Sequence, residues 1–327
     1  MQIIKSTQTD PIYNLALEEA LLMQQKDCIL IWQNDNSIIV GRNQNIYAEV
    51  NLEADAACHA KIVRRNTGGG TVYHDLQNIN FSFCFSEAHF SDQTMLHSIL
   101  SFLHACNVPA VCSGRNDILA ENKKISGCAA LSRNGFTLLH GTLLFQANTE
   151  RMEQLLHISP QKLKSKGIAS VKSRVGSIKP YVSPQWDVTH FMQKLTAYLT
   201  AYFSAETGEI PLEQVQHLMQ EKYSTWEWNY GRNPSMDFSA SQRFPTGEFQ
   251  AELHLKGEHI ESCRFFGDFI GRQDVALLEQ KLIGMPYTKD ALRTFFRQED
   301  IPAFLGEVTQ EQWISLLFPF ENQKNKS

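Results

Sequence analysis

Twelve residues, Arg64-Arg65-Asn66-Thr67-Gly68-Gly69-Gly70-Thr71-Val72-Tyr73-His74-Asp75, set two fixed cations beside three successive glycines. Glycines let the chain take positive φ and bring N–H groups against a ligand. Arginine adds permanent charge and forked donors for phosphate or carboxylate. The segment reads as an anion-handling loop, although an isolated glycine triplet is more often a tight turn. Gly114-Arg115-Asn116-Asp117 reads either as a turn entering Ile118 or as a loop offering Asp117 to Mg²⁺, which proteins hold with one or two carboxylates plus substrate phosphates. In Lys123-Lys124-Ile125-Ser126-Gly127-Cys128-Ala129, Lys123 reads as solvated surface, whereas Lys124 opens a strand with small neighbours. A ligand can lie along such a strand beneath one ammonium, which would favour charge moving between a carboxylate and a phosphate. Leu163 to Lys179 is a basic Gly/Ser-rich stretch, either a lid or binding loop or a plain exposed one. His74 and His140 read as core or hydrogen-bonding histidines, since nothing supplies further metal ligands at a recognised spacing. There is no GxSxG, HExxH, EF-hand or GxxxxGK[ST] pattern, so phosphate would not be held by a Walker loop.

These segments need elements to carry them. Apolar spacing over Asn14 to Gln25 predicts a helix, and Ile29 to Trp32, Ile38 to Val40 and Ile62 to Arg65 predict short strands. Ile79, Phe81, Phe83 and Phe85 alternate with Asn80, Ser82 and Cys84, the period-two sign of a strand with two unlike faces. A helix follows from Met95 to Cys106, then strands at Asp117 to Ala120, Lys124 to Ala130 and Phe136 to Phe145, then helices at Val188 to Phe203 and Leu212 to Tyr223. Asn229 to Gly247 is rich in Asn, Gly, Pro and Ser and predicts a linker, assigned to 238–247 between a domain at 1–237 and a second at 248–327. The second would hold a hairpin about Lys256-Gly257-Glu258 and three helices, the last opened by a capping box of Thr309 and Gln312. The mixed order predicts α+β, a mixed sheet with packed helices, plus a small α+β accessory domain.

The chain has 327 residues, 43% of them hydrophobic and 20% charged, enough for packed cores in about two domains. A formal net charge of -5 argues against a nucleic-acid partner. Seven cysteines without a CxxC pair predict a reducing compartment. With no long apolar run and no leader-like start, the expectation is a cytoplasmic protein without a membrane partner. Nothing demands an oligomer, so a monomer is expected.

The order and spacing of Arg64-Arg65 to Gly68-Gly69-Gly70, Tyr73-His74-Asp75, Asn80, Gly114-Arg115-Asn116-Asp117, Lys124-Ile125-Ser126-Gly127 and His140-Gly141-Thr142-Leu143 resembles the bacterial lipoate-protein ligase A family. Asn14 to Glu18, Gly167-Ile168, Ser173 to Val175 and Trp226 to Tyr230 extend the resemblance over essentially the whole chain. It implies a catalytic domain of the biotin/lipoate ligase type with a small accessory domain. The implied activity is ATP-dependent attachment of lipoate to a lysine of apo lipoyl domains, in 2-oxoacid dehydrogenase E2 subunits or the glycine cleavage H protein. By motif position, the implied nucleotide and acyl contacts are Arg65, Gly68, Gly69, Gly70, Thr71, Val72, Tyr73, His74, Asn116, Lys124, Ser126, Gly127, His140, Gly141 and Arg174. Lys124 would be catalytic, Asp117 would place Mg²⁺, and Leu163 to Lys179 would close over the acyl-adenylate. Thr71, where alanine is frequent, and Cys128 are departures that remove no charge. The rival within the superfamily is a carrier-protein acyltransferase working through Cys84, Cys112 or Cys128, and a further rival is a lipoate binder without catalysis.

Overall fold

The structure, a computed structural model, describes residues 1–51, 55, 58–114, 116–156, 174–230, 238–256 and 259–318. Its organising element is the alternating strand at Asn78–Ser86, whose two faces meet different company. Ile79, Phe81, Phe83 and Phe85 enter a core with the helices Asp92–Ala105 and Val188–Phe203. Asn80 and Ser82 are buried on the other face, where Asn80 lines a cavity. Ser91 and Asp187 cap the two helices through side chains that accept from Thr94 N and His190 N.

In chain order the strands are β1 (Gln2–Lys5), β2 (Cys28–Trp32), β3 (Ser37–Val40), β4 (Lys61–Arg64), β5 (Val72–His74), β6 (Asn78–Ser86), β7 (Ala110–Ser113), β8 (Asp117–Ala120), β9 (Lys123–Arg133), β10 (Phe136–Leu144), β11 (Glu206–Thr207), β12 (Phe238–Phe244), β13 (Gly247–Lys256) and β14 (His259–Gly267). Eight form one sheet in the order β11-β1-β2-β6-β10-β9-β8-β7, and β4-β3-β5 and β12-β13-β14 form two smaller sheets. Parallel pairs at β1–β2 and β1–β11 beside antiparallel neighbours make the large sheet mixed, as expected from the order of elements. The helix Pro11–Met23 starts at the N-cap Asp10 and is buried over most of its length, Glu18 and Glu19 included.

One expectation is overturned. The linker assigned to 238–247 is largely strand: Phe238–Phe244 is β12, paired antiparallel with β13 from Phe238↔Leu253 to Phe244↔Gly247. It is an edge strand in which Phe244 and Ala240 face the core while Ser239, Gln242 and Arg243 stay outside it, and so weak a pattern reads as loop. Helices Val275–Leu282, Lys289–Gln298, Ile301–Leu305 and Gln310–Leu317 pack against this sheet around Phe249, Phe265 and Trp313. The capping box of Thr309 and Gln312 is present in full. Residues 163–173 of the basic stretch lie outside the described residues.

Candidate active site

A cavity of about 460 Å³ opens between the large sheet and the small β4-β3-β5 sheet. Its floor follows from register. Trp32 pairs with Asn80, Asn80 with Thr142, and Gly127 with Asp117, while Gly127 N donates to Thr142 Oγ1 at 3.3 Å. Paired residues project to one face, so this row crosses the sheet from β2 to β8 beneath the cavity. Lys124 arches over the gap in the row: a Cβ on Gly127 would lie 2.6 Å from Lys124 Nζ. The ammonium holds Asp117 Oδ1 at 2.6 Å, and Arg174 Nη2 lies 3.8 Å from Oδ2. Lys124 O accepts from Gly176 N at 2.8 Å, which lays the described end of the basic stretch along the same strand.

The two arginines before the glycines divide their work by strand alternation. Arg64, fully buried, donates to the carbonyls of Gly41, Arg42, Gln44, Trp228 and Asn229, tying three segments together away from the cavity. Arg65 lines the cavity, but its donors serve the loop itself: Nη2 to Gly68 O at 2.6 Å and Gly70 O at 2.8 Å, Nη1 to Ile39 O, and Nε to Thr67 Oγ1. Burial brings its pKa down to about 10, opposed by the Glu18 carboxylate, so it stays charged at neutral pH. Gly69 has φ +86°, a conformation that favours glycine. The C-terminal part closes the mouth of the cavity with Arg243, Thr246, Asp268 and Ile270, and Phe269 O accepts from Gly69 N at 3.1 Å.

Beneath the loop runs a buried hydrogen-bonded chain. Trp32 Nε1 donates to Ser82 Oγ at 2.9 Å, Ser82 donates to Glu18 Oε1 at 2.6 Å, and His140 Nδ1 meets the same oxygen at 2.8 Å. Thr67 Oγ1 lies 2.8 Å from His140 Nε2 and already accepts from Arg65 Nε. The consistent assignment puts the imidazole proton on Nδ1 and lets Thr67 donate to Nε2. His74 behaves differently: burial, with Arg65 and His140 adding repulsion, lowers its pKa to about 3, so it is neutral at physiological pH.

Of the residues that the sequence singled out, Arg65, Gly69, Gly70, Thr71, Val72, Tyr73 and His74 line the cavity on one side. Asn116, Asp117, Lys124, Gly127, His140, Gly141 and Arg174 line it on the other. Gly68 and Ser126 do not. Gly68 lies under Phe269 O, 2.8 Å from where its Cβ would be, and Ser126 is fully buried with its hydroxyl 3.9 Å from Cys128 Sγ. Sequence reasoning gave no role to Glu18, Thr67, Ser82 or Trp32, whose polar atoms meet only where the helix Pro11–Met23 and the glycine loop pack on the sheet. The one available signal was the polar face of β6, opposite its phenylalanines. Cys128 lines the cavity, but burial pushes its thiol up to about 12, so it supplies no thiolate. Cys84 is buried beside Cys28 and also raised, and Cys112 is exposed outside the cavity lining. For Mg²⁺, Asp117 is a hard oxygen donor, and among the described residues no cluster of three or more His, Cys, Asp or Glu is placed to hold a metal. That donor set suits an ion carried by nucleotide phosphates, not a cage made by protein alone.

Residues 10–200 match the family model of the lipoyl protein ligase A/B catalytic domain, and residues 233–317 match that of the bacterial lipoate protein ligase C-terminus. Lipoate-protein ligase LplJ of Bacillus subtilis is 33% identical, over 94% of this chain and 97% of its own. The P. falciparum LipL1 structure in complex with lipoate superposes with a TM-score of 0.79 at 22% identity, covering 98% of this chain and 99% of that one. A bipartite lipoate protein ligase of Thermoplasma acidophilum, studied with its E2 lipoyl domain, gives 0.62 at 25% identity, covering 72% of this chain and 98% of that one. With both parts of the chain matched in order and a third of its residues shared with LplJ along nearly its whole length, the protein belongs to the lipoate-protein ligase family.

Proposed function

We propose that this protein activates lipoate with ATP to lipoyl-AMP and transfers the lipoyl group to a lysine of apo lipoyl domains. The observation that carries the reading is Lys124, whose ammonium stands over Gly127 beside Asp117, with Arg174 on the far side of that carboxylate. A carboxylate does not acylate an amine at neutral pH. In the first step a lipoate oxygen attacks the α-phosphorus of ATP, the bond to pyrophosphate breaks, and a mixed anhydride forms. Negative charge gathers between lipoate and phosphate, and Lys124 supplies a positive charge held in place before reaction. Arg65 acts one bond back, fixing the carbonyls of Gly68 and Gly70 so that the loop backbone keeps its shape. Asp117 would hold Mg²⁺, which shields phosphate charge when it arrives with the nucleotide. In the second step the acceptor amine attacks the acyl carbon and AMP leaves. No enzyme nucleophile is needed, in keeping with the raised Cys128 thiol. The acceptors in this reading are E2 lipoyl domains or the glycine cleavage H protein, the working unit is a monomer, and seven free cysteines fit the reducing cytoplasm.

The test is the intact mass of an apo lipoyl domain after incubation with the protein, ATP, Mg²⁺ and lipoate. A lipoyl mass gain that needs ATP and falls at least about 100-fold in rate in Lys124→Ala is expected. Transfer from an acylated carrier without ATP would move the protein to the acyltransferases.

A further inference from the structure

Arg42 is a cation that the chemistry above does not use. Like Asn66 and Asp274, it lies outside the cavity lining, yet its side chain is only 13% exposed. The guanidinium is engaged on two sides. Nε donates to Asp274 Oδ1 at 3.1 Å and Nη2 to Asp274 Oδ2, while Nη1 donates to Asn66 Oδ1. Asp274 belongs to the C-terminal part, where it also caps helix Val275–Leu282 by accepting from Ala276 N at 3.0 Å. Asn66, itself buried, stands between β4 and the three glycines.

A second cation shares the Asn66 oxygen. Lys222 Nζ lies 3.3 Å from Asn66 Oδ1 and holds Glu19 Oε2 at 2.6 Å. Both cations pack on the Trp228 ring, Lys222 at 4.0 Å from its centre and Arg42 at 5.2 Å. Two cations converge on one neutral amide at low cost only when each has its own counter-charge. Glu19, on helix Pro11–Met23, supplies it for Lys222, and Asp274 supplies it for Arg42 from the other part of the chain. Without Asp274, Arg42 would face Lys222 with no carboxylate of its own. The long side chain would turn to solvent, and Asn66 would lose the nearer of its two donors. Arginine suits this duty because its donors form a rigid planar fork, so grasping Asp274 fixes the direction of the N–H that reaches Asn66. A lysine could hold the carboxylate but would not relay its position.

We propose that Arg42 is a positioning residue that makes the shape of the glycine loop depend on Asp274 of the C-terminal part. Its main chain serves the same loop, with Arg42 N donating to Thr67 O at 2.9 Å. Only the effect on ATP rests on the proposed function. Hydrogen exchange of the amides from Asn66 to Val72 is measured for wild type, Asp274→Asn, Arg42→Lys and the double variant, beside KM and kcat for ATP in acyl-adenylate formation. Asparagine can keep the helix cap and lysine can keep the ion pair, so each single variant retains a structural duty while breaking the relay. Thr71 N, held by Gln44 Oε1 at 3.0 Å, reports on the loop without a C-terminal partner. Its exchange is expected to quicken about tenfold in each single variant, the order of one charge-assisted hydrogen bond, and no further in the double. KM for ATP should rise by about the same factor with kcat little changed. Loop exchange within about twofold of wild type in both single variants, or effects that multiply in the double, would overturn the proposal. So would equal quickening in helix Val275–Leu282 of Arg42→Lys, which would reduce the effect to general loosening. Quickened loop exchange with KM for ATP unchanged would instead leave the relay standing and sink the assignment of this loop to the nucleotide.

Discussion

Replacing Gly127 by alanine separates the site from the fold. The new Cβ would lie 2.6 Å from Lys124 Nζ and 2.7 Å from Cε, and the next atom, Asp117 Oδ1, is 3.8 Å away. The clash is with the mobile end of one side chain. Gly127 does not have positive φ, so alanine fits the strand, and the loss of glycine freedom in the unfolded chain contributes about 0.4–1 kcal/mol in favour of folding. The melting temperature should therefore hold, or rise by about 2 °C. The ammonium, by contrast, has to leave the place where it holds Asp117 at 2.6 Å. Loss of one preorganised donor from a transition state costs about 2.7–4 kcal/mol, or 10²–10³ in rate. The assay is acyl-adenylate formation followed by pyrophosphate release, with a thermal melt on the same preparation. A variant that melts like wild type and forms adenylate within ~3-fold of its rate would refute the placement of Lys124 at the reacting centre. A melt lowered by many degrees would show that the methyl disturbs more than the lysine.

Arg64→Met should act on stability through the five carbonyls that lose their donor, lowering unfolding free energy by about 3–5 kcal/mol in a denaturant titration. His74 should make stability depend on pH. Its pKa is about 3 in the folded chain against 6.5 unfolded, so the unfolded state takes up the proton first and stability is lost as pH falls below 6.5. Those two values give a loss of about 1.6 kcal/mol between pH 6.5 and 5, which His74→Gln should remove from denaturation curves recorded at the two pH values.

The large sheet was legible where its strands alternate, as in Ile79 to Phe85, and the helix Val188–Phe203 was legible to the residue, because local periodicity decides both. The edge strand Phe238–Phe244 was not, since its partner β13 supplies the order that its own sequence lacks. In the site, residue types announced Lys124 and Asp117, and the strand pair Asp117↔Gly127 explains why a glycine leaves room for the lysine beside that carboxylate. The chain from Trp32 to Thr67 was out of reach: Trp32 and Ser82 are fifty positions apart, Ser82 and Glu18 sixty-four, and only the pairing of β2, β6 and β10 with the helix Pro11–Met23 packed on them brings them together. Arg64 and Arg65 looked alike in sequence, and strand geometry gave them opposite duties.

Arg65 carries a further consequence. A cation folded into the glycine loop, with its donors satisfied by main chain, cannot swing toward a ligand or away from it. Its field is a fixed property of the folded loop, steady up to the neighbourhood of pH 10. In the proposed reading, any attraction for an anion near this loop is switched on by folding itself, so gentle heating should lose anion affinity and loop structure at one temperature, as a single event.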